Sequence, residues 1–176
     1  MKKLLLIIFC MIFCLSFTAC FESDAPKKET SNIQSSAENT DAENEEESFY
    51  LNETAVFSNL KFTAAEIKEI SESDFISPEA GNVFVGINFE VENISDEEQG
   101  LSSLLLFDGY SDDVKCEYSI SAAAAFGGET LDDSLAPGKK MSGWYALEVP
   151  ENWAEIELHV KQDFLSGSSA KFVFEK

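Results

Sequence analysis

From Asn82 to Asn93 apolar and polar positions alternate, with Val83, Val85, Ile87, Phe89 and Val91 on one side and Phe84, Gly86, Asn88, Glu90 and Glu92 on the other. A period of two over such a run predicts a strand with one face on a core and one mostly polar face outward. Met141 to Val149 repeats the pattern, with Met141, Tyr145, Leu147 and Val149 on one face. So does Ala154 to Lys161, where Ile156, Leu158 and Val160 alternate with Glu155, Glu157, His159 and Lys161. The chain closes on Ala170 to Glu175, with Phe172 and Phe174 on one side.

Weaker strand signals cover Ala55 to Ile67, Ser103 to Phe107, Val114 to Ile120 and Glu129 to Leu135. Breakers stand between the runs: Pro78 with Gly81, Asn93 to Gly100, Asp108-Gly109, Gly127-Gly128, Pro137-Gly138, Pro150 and Gly167. Glu66 to Asp74 and Ser121 to Phe126 are candidate helical turns, too short to change the class. Short strands at this spacing, with no long helical period between them, predict an all-β fold, an antiparallel sandwich of about seven to eight strands.

Ahead of the strands the pattern changes twice. Residues 1 to 20 read MKKLLLIIFCMIFCLSFTAC, a Lys-Lys start, an apolar run from Leu4 to Phe17, and small residues leading into a cysteine. The run is about 14 residues, short of the roughly 20 that a membrane-spanning helix needs, so it reads as a secretory signal. Phe17-Thr18-Ala19-Cys20 resembles the lipobox of bacterial lipoproteins, with Phe17 where Leu is commonest. That resemblance implies a diacylglycerol on Cys20 and cleavage just before it, which supplies the two acyl chains that stable anchoring requires. Cys10 and Cys14 then leave with the signal, Cys20 carries lipid, and Cys116 remains as the single thiol, so no intramolecular disulfide forms.

From Phe21 to about Ser48 the chain turns to Ser, Thr, Asn, Lys, Asp and Glu, densest in charge at Asp41 to Glu47. Such a segment buries too little apolar surface to offset its ordering entropy, and it is expected to be a disordered spacer. About 28 flexible residues reach on the order of 30 Å, enough to hold a domain clear of lipid headgroups. The expected organisation is therefore a signal peptide over residues 1–19, a lipidated cysteine and acidic tether over 20–48, and one sandwich domain over 49–176.

Charge narrows the function. The 176 residues carry 33 acidic and 12 basic side chains, a net charge of −21 at pH 7, and every basic residue is Lys. Loss of Lys2 and Lys3 with the signal takes −21 to −23. An acidic chain without Arg lacks the guanidinium forks and basic surface that phosphate recognition uses, which argues against nucleic-acid binding. It is also repelled by anionic headgroups, so the membrane connection falls to the lipid alone.

Candidate chemistry is sparse. His159 is the single histidine, on the polar face of its predicted strand, so any Ser-His, Cys-His or His-rich zinc site would need that one position. Cys116 reads as a small apolar residue of a strand. Asp108, Asp112 and Asp113 gather three hard oxygen ligands within six residues, a candidate Ca²⁺ loop, although Gly109 sits where an EF-hand loop has no glycine and Asp108-Gly109 reads more simply as a turn. Trp144 and Phe84 both fall opposite the apolar stripes of their strands. They form either an exposed partner surface or a patch covered by a loop or helical turn. Trp153 is expected to plug one end of the sandwich. No cofactor is implied.

The order Pro78-x-x-Gly81-Asn-Val-Phe-Val-Gly-Ile-Asn-Phe-Glu-Val-Glu-Asn93, followed by Leu135-Ala-Pro137-Gly138 opening a strand that closes on Val149-Pro150, resembles a family of extracellular domains of unknown function. The family is common on lipoproteins of Gram-positive bacteria and has an immunoglobulin-like sandwich similar to the secreted mycobacterial immunoprotective antigen. The resemblance spans about Asn52 to Lys176 and brings no catalytic residues. It implies a non-enzymatic module anchored at the outer face of the cell membrane and contacting another envelope or extracellular protein. The alternative is a lipoprotein that binds a cation or small ligand, and a hydrolase is the remotest reading.

Overall fold

The fold is taken from a computed structural model, which describes residues 26–29, 47–72, 76–165 and 167–176. The expected signal segment, Cys20 and most of the expected tether lie outside the described residues.

Alternation becomes pairing where the sequence predicts it. β1 (Lys27–Lys28), β3 (Thr54–Val56), β4 (Leu60–Ile70), β5 (Asn82–Asn93) and β10 (Lys140–Pro150) form one five-stranded antiparallel sheet in the order β1-β3-β4-β5-β10. β2 (Ser48–Phe49), β12 (Ala170–Glu175), β11 (Glu155–Val160), β7 (Phe107–Ser111) and β8 (Val114–Cys116) form the second, in the order β2-β12-β11-β7-β8. All its pairs are antiparallel except β2 with β12. A small ladder joins β6 (Gln99–Gly100) to β9 (Ser134–Leu135). α1 (Ile120–Ala125) is one short helix, capped by Ser119, whose hydroxyl accepts from the Ala122 N–H.

The two large sheets enclose one aromatic-rich core. Val83, Val85, Ile87, Phe89 and Val91 of β5 face Ile156, Leu158 and Val160 of β11 across Phe62, Phe107, Tyr145, Leu147 and Phe172, all buried. Phe89 meets Phe172 edge-on at 5.3 Å between centroids, and Phe62 meets Phe107 likewise at 6.0 Å. Such offset and edge contacts suit rings that carry a negative face and a positive rim. Trp153 is buried at one end of the sandwich, its indole N–H donating to Glu69 at 2.8 Å, with the Lys176 ammonium over its ring.

The all-β sandwich stands, and the local departures have physical reasons. Glu66 to Ile70 is not a helical turn but the end of β4, kept in register with β5 by an irregularity between Ala64 and Glu66. Ser103 to Leu106 is a turn, closed by the Leu106 N–H on the Ser102 carbonyl, and the strand starts at Phe107. Asp108-Gly109 lies within β7 and is no turn. A Cβ at Gly109 would come 3.2 Å from the Leu147 side chain and 3.3 Å from the Cys116 carbonyl, so the glycine is there for close packing. The turn falls instead at Asp112-Asp113, both at positive φ, as a two-residue hairpin connection requires.

Pro137-Gly138 does turn the chain into β10, Gly138 donating to the Asn93 carbonyl. Asn93 is fully buried: its amide donates to the Glu97 and Leu135 carbonyls, and its side-chain oxygen accepts from Ser95.

Candidate functional site

The edge where the two sheets meet at β8 and β10 carries a surface cleft of about 270 Å³, near the lower end of the range for small-ligand sites. Three elements build it. The Ser103–Leu106 turn forms one wall, fixed by Leu101 and Leu106 in the core and by the Ser103 N–H donating to Asp132 at 2.7 Å. Strand β8 and the bridge from Tyr118 to Leu147 form the other wall, and β10 supplies Tyr145 to the floor.

Aromatic rings line the floor in series. Phe107 stacks on Tyr145 at 4.8 Å and 19°, and Tyr145 meets Tyr118 at 5.5 Å. Burial pushes the Tyr145 phenol well up, with the negative charge of Asp108 adding to it. Burial and Asp132 raise Tyr118. Both hydroxyls are neutral near pH 7 and present hydrogen-bond donors. Ser103 Oγ is buried with no hydrogen bond of good geometry, although it lies near enough to Tyr118 to favour its phenolate slightly. A buried hydroxyl left in that state is a standing polar demand within the cleft.

The rim is ionic on one side and apolar on the other. Asp108 accepts from Lys161 at 2.7 Å and Lys115 at 3.0 Å, and these hydrogen bonds hold its carboxyl below the usual range. On the other side Leu104 points outward at 67% exposure, with Leu105 next to it in the turn, outside the lining, at 58%. Cys116 lines the wall with its thiol donating to the Val114 carbonyl, and burial raises its pKa. A thiol held that way is a poor nucleophile.

The other residues singled out from sequence sit elsewhere. Asp108 does not converge with Asp112 and Asp113. It lines this cleft, whereas Asp112 and Asp113 line a separate shallow depression with Tyr110, Glu155 and Glu157. The Asp112 carboxylate accepts from the Ala154 and Glu155 N–H groups, holding the β7–β8 turn to β11. Among the described residues no three His, Cys, Asp or Glu side chains are grouped to hold a metal ion. The three-aspartate loop is thus corrected as a ligand group: Asp108 is held by lysines in the cleft and Asp112 by backbone amides on the other side of the turn.

His159 pairs through Nε2 with Glu157, which also takes Lys171 at 2.8 Å, and the imidazole packs edge-on to Tyr110. Those contacts orient it along the outer face of β11.

Trp144 and Phe84 are not a surface. Phe84 is fully buried and Trp144 is 7% exposed, because Ser119 to Phe126 lies over them. Phe126 stacks on Trp144 at 5.0 Å and 20°, and Lys68 sits 5.1 Å from the Trp144 ring. Four alanines in Ser121 to Phe126 let the helix lie close to the sheet, with Ala122 and Ala123 buried against it. The cleft residues Ser103, Leu104, Tyr118 and Tyr145 escaped the sequence reading. For Leu104 a signal was there, unused: in Leu104-Leu105-Leu106-Phe107 four consecutive apolar residues cannot all face one core, so some must face outward.

Residues 49–171 match the family described as domain of unknown function DUF4352. No curated protein matches the chain. Among solved structures, a candidate lipoprotein of Bacillus subtilis subsp. subtilis str. 168 has a similar fold, with a TM-score of 0.56 at 14% identity over 66% of this chain. The chain spans only 36% of that protein's length. A β-sandwich protein of Clostridium difficile 630 is similar at a TM-score of 0.52 and 16% identity, over 78% of this chain and 99% of its own. At these identities the likeness is one of fold. No helix among the described residues is long and apolar enough to cross a membrane.

Proposed function

We propose, from the premise that the chain belongs to the DUF4352 family of domains of unknown function, that it is a lipid-anchored, non-enzymatic binding module at the outer face of a Gram-positive cell membrane. Cys20 carries the lipid, the domain is an immunoglobulin-like sandwich, and it recognises another envelope or extracellular protein. The observation that carries the binding role is the cleft between the Ser103–Leu106 turn and β8, where exposed Leu104 borders neutral phenols and a Lys-Asp-Lys cluster. Apolar residues beside a few convergent polar groups are what a partner's anchoring side chain requires.

A non-enzymatic role is supported by the state of the reactive groups: the thiol is pushed toward its neutral form and the imidazole is held by Glu157. A second reading, a small polar ligand within the cleft, is favoured by the unsatisfied Ser103 hydroxyl.

The test is photocrosslinking in intact cells from a photoreactive residue replacing Leu104, compared with one replacing exposed Glu66 on β4. A single envelope protein captured from position 104 and not from position 66 is expected. Equal capture from both positions, or none from either, contradicts a partner at the cleft. A rise in melting temperature with a small polar compound, lost in Ser103→Ala, would then favour the second reading.

A further inference from the structure

The tether is read from sequence as one long spacer, yet its residues Lys27–Lys28 form a strand on the open edge of β3, Lys27 opposite Val56 and Lys28 opposite Ala55. The pairing extends to Glu29, whose N–H donates to the Thr54 carbonyl at 3.4 Å. Side chains reinforce it on both faces. The Lys28 ammonium pairs with Glu53 at 2.6 Å, reaches the Ser48 carbonyl at 3.4 Å, and lies 5.6 and 5.7 Å from the Phe49 and Tyr50 ring centroids. Glu29 pairs with Lys61 of β4. An extended segment thus adds itself to a sheet edge, with one lysine seated in a pocket of two rings, a carboxylate and a carbonyl.

We propose that the β3 edge is a docking site for the tether's own Lys27–Glu29 segment, and that this clasp sets both the height and the facing of the domain on the membrane. The inference rests on the lipid-anchored reading above. Seven peptide links separate Cys20 from Lys27, so the clasped edge lies within about 25 Å of the lipidated residue, against a contour of roughly 95 Å if the chain were first held at Ser48. The domain then rides close to the headgroups. The clasp also chooses which side faces them. β1 and β2 are edge strands of the two sheets on the same side of the sandwich, joined by the Lys28 contacts to Ser48 and Phe49. β10 and β8, which carry the cleft, are the edges on the opposite side. Four strand spacings lie between β1 and β10, about 19 Å. The clasp therefore keeps the cleft on the side away from the anchor.

The test uses the mature lipidated chain in phosphatidylglycerol vesicles, with Cys116→Ser and a donor dye on Val114→Cys of β8, an exposed position. Acceptor-labelled lipids report the height of that edge. Lys28→Glu puts a carboxylate beside Glu53, and Glu29→Pro removes the N–H that bonds Thr54; neither replaces a core residue. Narrowly distributed energy transfer in the parent, fixed by the height of the far edge, and a distribution at least twofold broader in both variants, are expected. The same distribution in all three overturns the clasp.

Amide exchange of the Thr54–Val56 edge in the Cys20→Ala chain, which carries no lipid, separates the clasp from the anchor. At least tenfold faster exchange in the two variants is expected, and unchanged exchange overturns the clasp whatever the vesicles show. A lipid-modified chain that fails to hold to vesicles while the edge stays protected contradicts the anchored reading instead, and with it the proposed height.

Discussion

Gly86 lies on β5 under the Phe126 ring, and a Cβ there would come within 2.7 to 2.8 Å of three ring atoms. Gly86→Ala therefore forces Phe126 off Trp144, on which it stacks at 5.0 Å. Overpacking of this kind costs about 1–3 kcal/mol. Removing the ring first should reverse the sign. In Phe126→Ala the space above Gly86 is open, and alanine in a strand is better than glycine by about 0.5–1 kcal/mol because it has less chain entropy to lose. The double-mutant cycle should thus show a coupling of about 1.5 kcal/mol or more. The assay is urea unfolding followed by Trp fluorescence, with Phe126→Ala also shifting Trp144 emission to the red as water reaches the indole. For a domain of this size each kcal/mol moves the melting temperature by about 4 °C. Equal cost of Gly86→Ala in the two backgrounds would refute the claim that α1 and Phe126 form a lid on the outer face of the sheet.

Other outcomes follow from the same contacts. Asn93→Ala should destabilise by about 2 kcal/mol in urea unfolding, because it strands the buried Leu135 carbonyl, drops the bond to the Glu97 carbonyl and releases the Ser95 turn. Asp108 has its folded-state pKa lowered by Lys161 and Lys115, so it contributes stability above the unfolded value of about 3.9 that is lost as pH falls through the folded value. Acid titrations of melting temperature should accordingly flatten below about pH 4 in Asp108→Asn. Millimolar Ca²⁺ should leave the melting temperature unchanged, since Asp108 is held by lysines and Asp112 by backbone amides. A rise of several degrees that is lost in Asp113→Asn would contradict that.

Alternation was the legible part of the fold. Asn82 to Asn93 and Ala170 to Glu175 could be bounded to the residue, the first because its period-two run starts and ends on Asn, the second because its alternation follows a stretch of Ser and Gly. Glycine was the misleading signal. Gly109 looks like a breaker beside Asp108, yet its role is to let β7 approach Leu147, a reason that exists only once β10 is folded against it. The true turn at Asp112-Asp113 carries no glycine at all, and aspartate's tolerance of positive φ is too weak a preference to outvote an Asp-Gly pair nearby. Trp144 and Phe84 were correctly placed opposite the apolar stripe, but whether that face was wet depended on where α1 lay. The cleft was illegible for a related reason. Its residues come from a turn, from β8 and Tyr118, and from β10, stretches far apart in sequence that only the pairing of Tyr118 with Leu147 brings together. The clasp was hidden because two lysines in an acidic, polar segment carry no strand pattern of their own.

The proposed height of the domain, its proposed facing and the proposed place of the cleft at the cell surface all rest on the proposal that Cys20 carries lipid. Intact-mass spectrometry of the protein extracted from membranes tests this directly, with a Cys20→Ala chain alongside. The account predicts a mature chain beginning at Cys20, heavier than its polypeptide by a diacylglyceryl group, and a Cys20→Ala chain absent from the membrane fraction. A membrane-bound chain that begins at any other residue, or that carries no added mass, would contradict it.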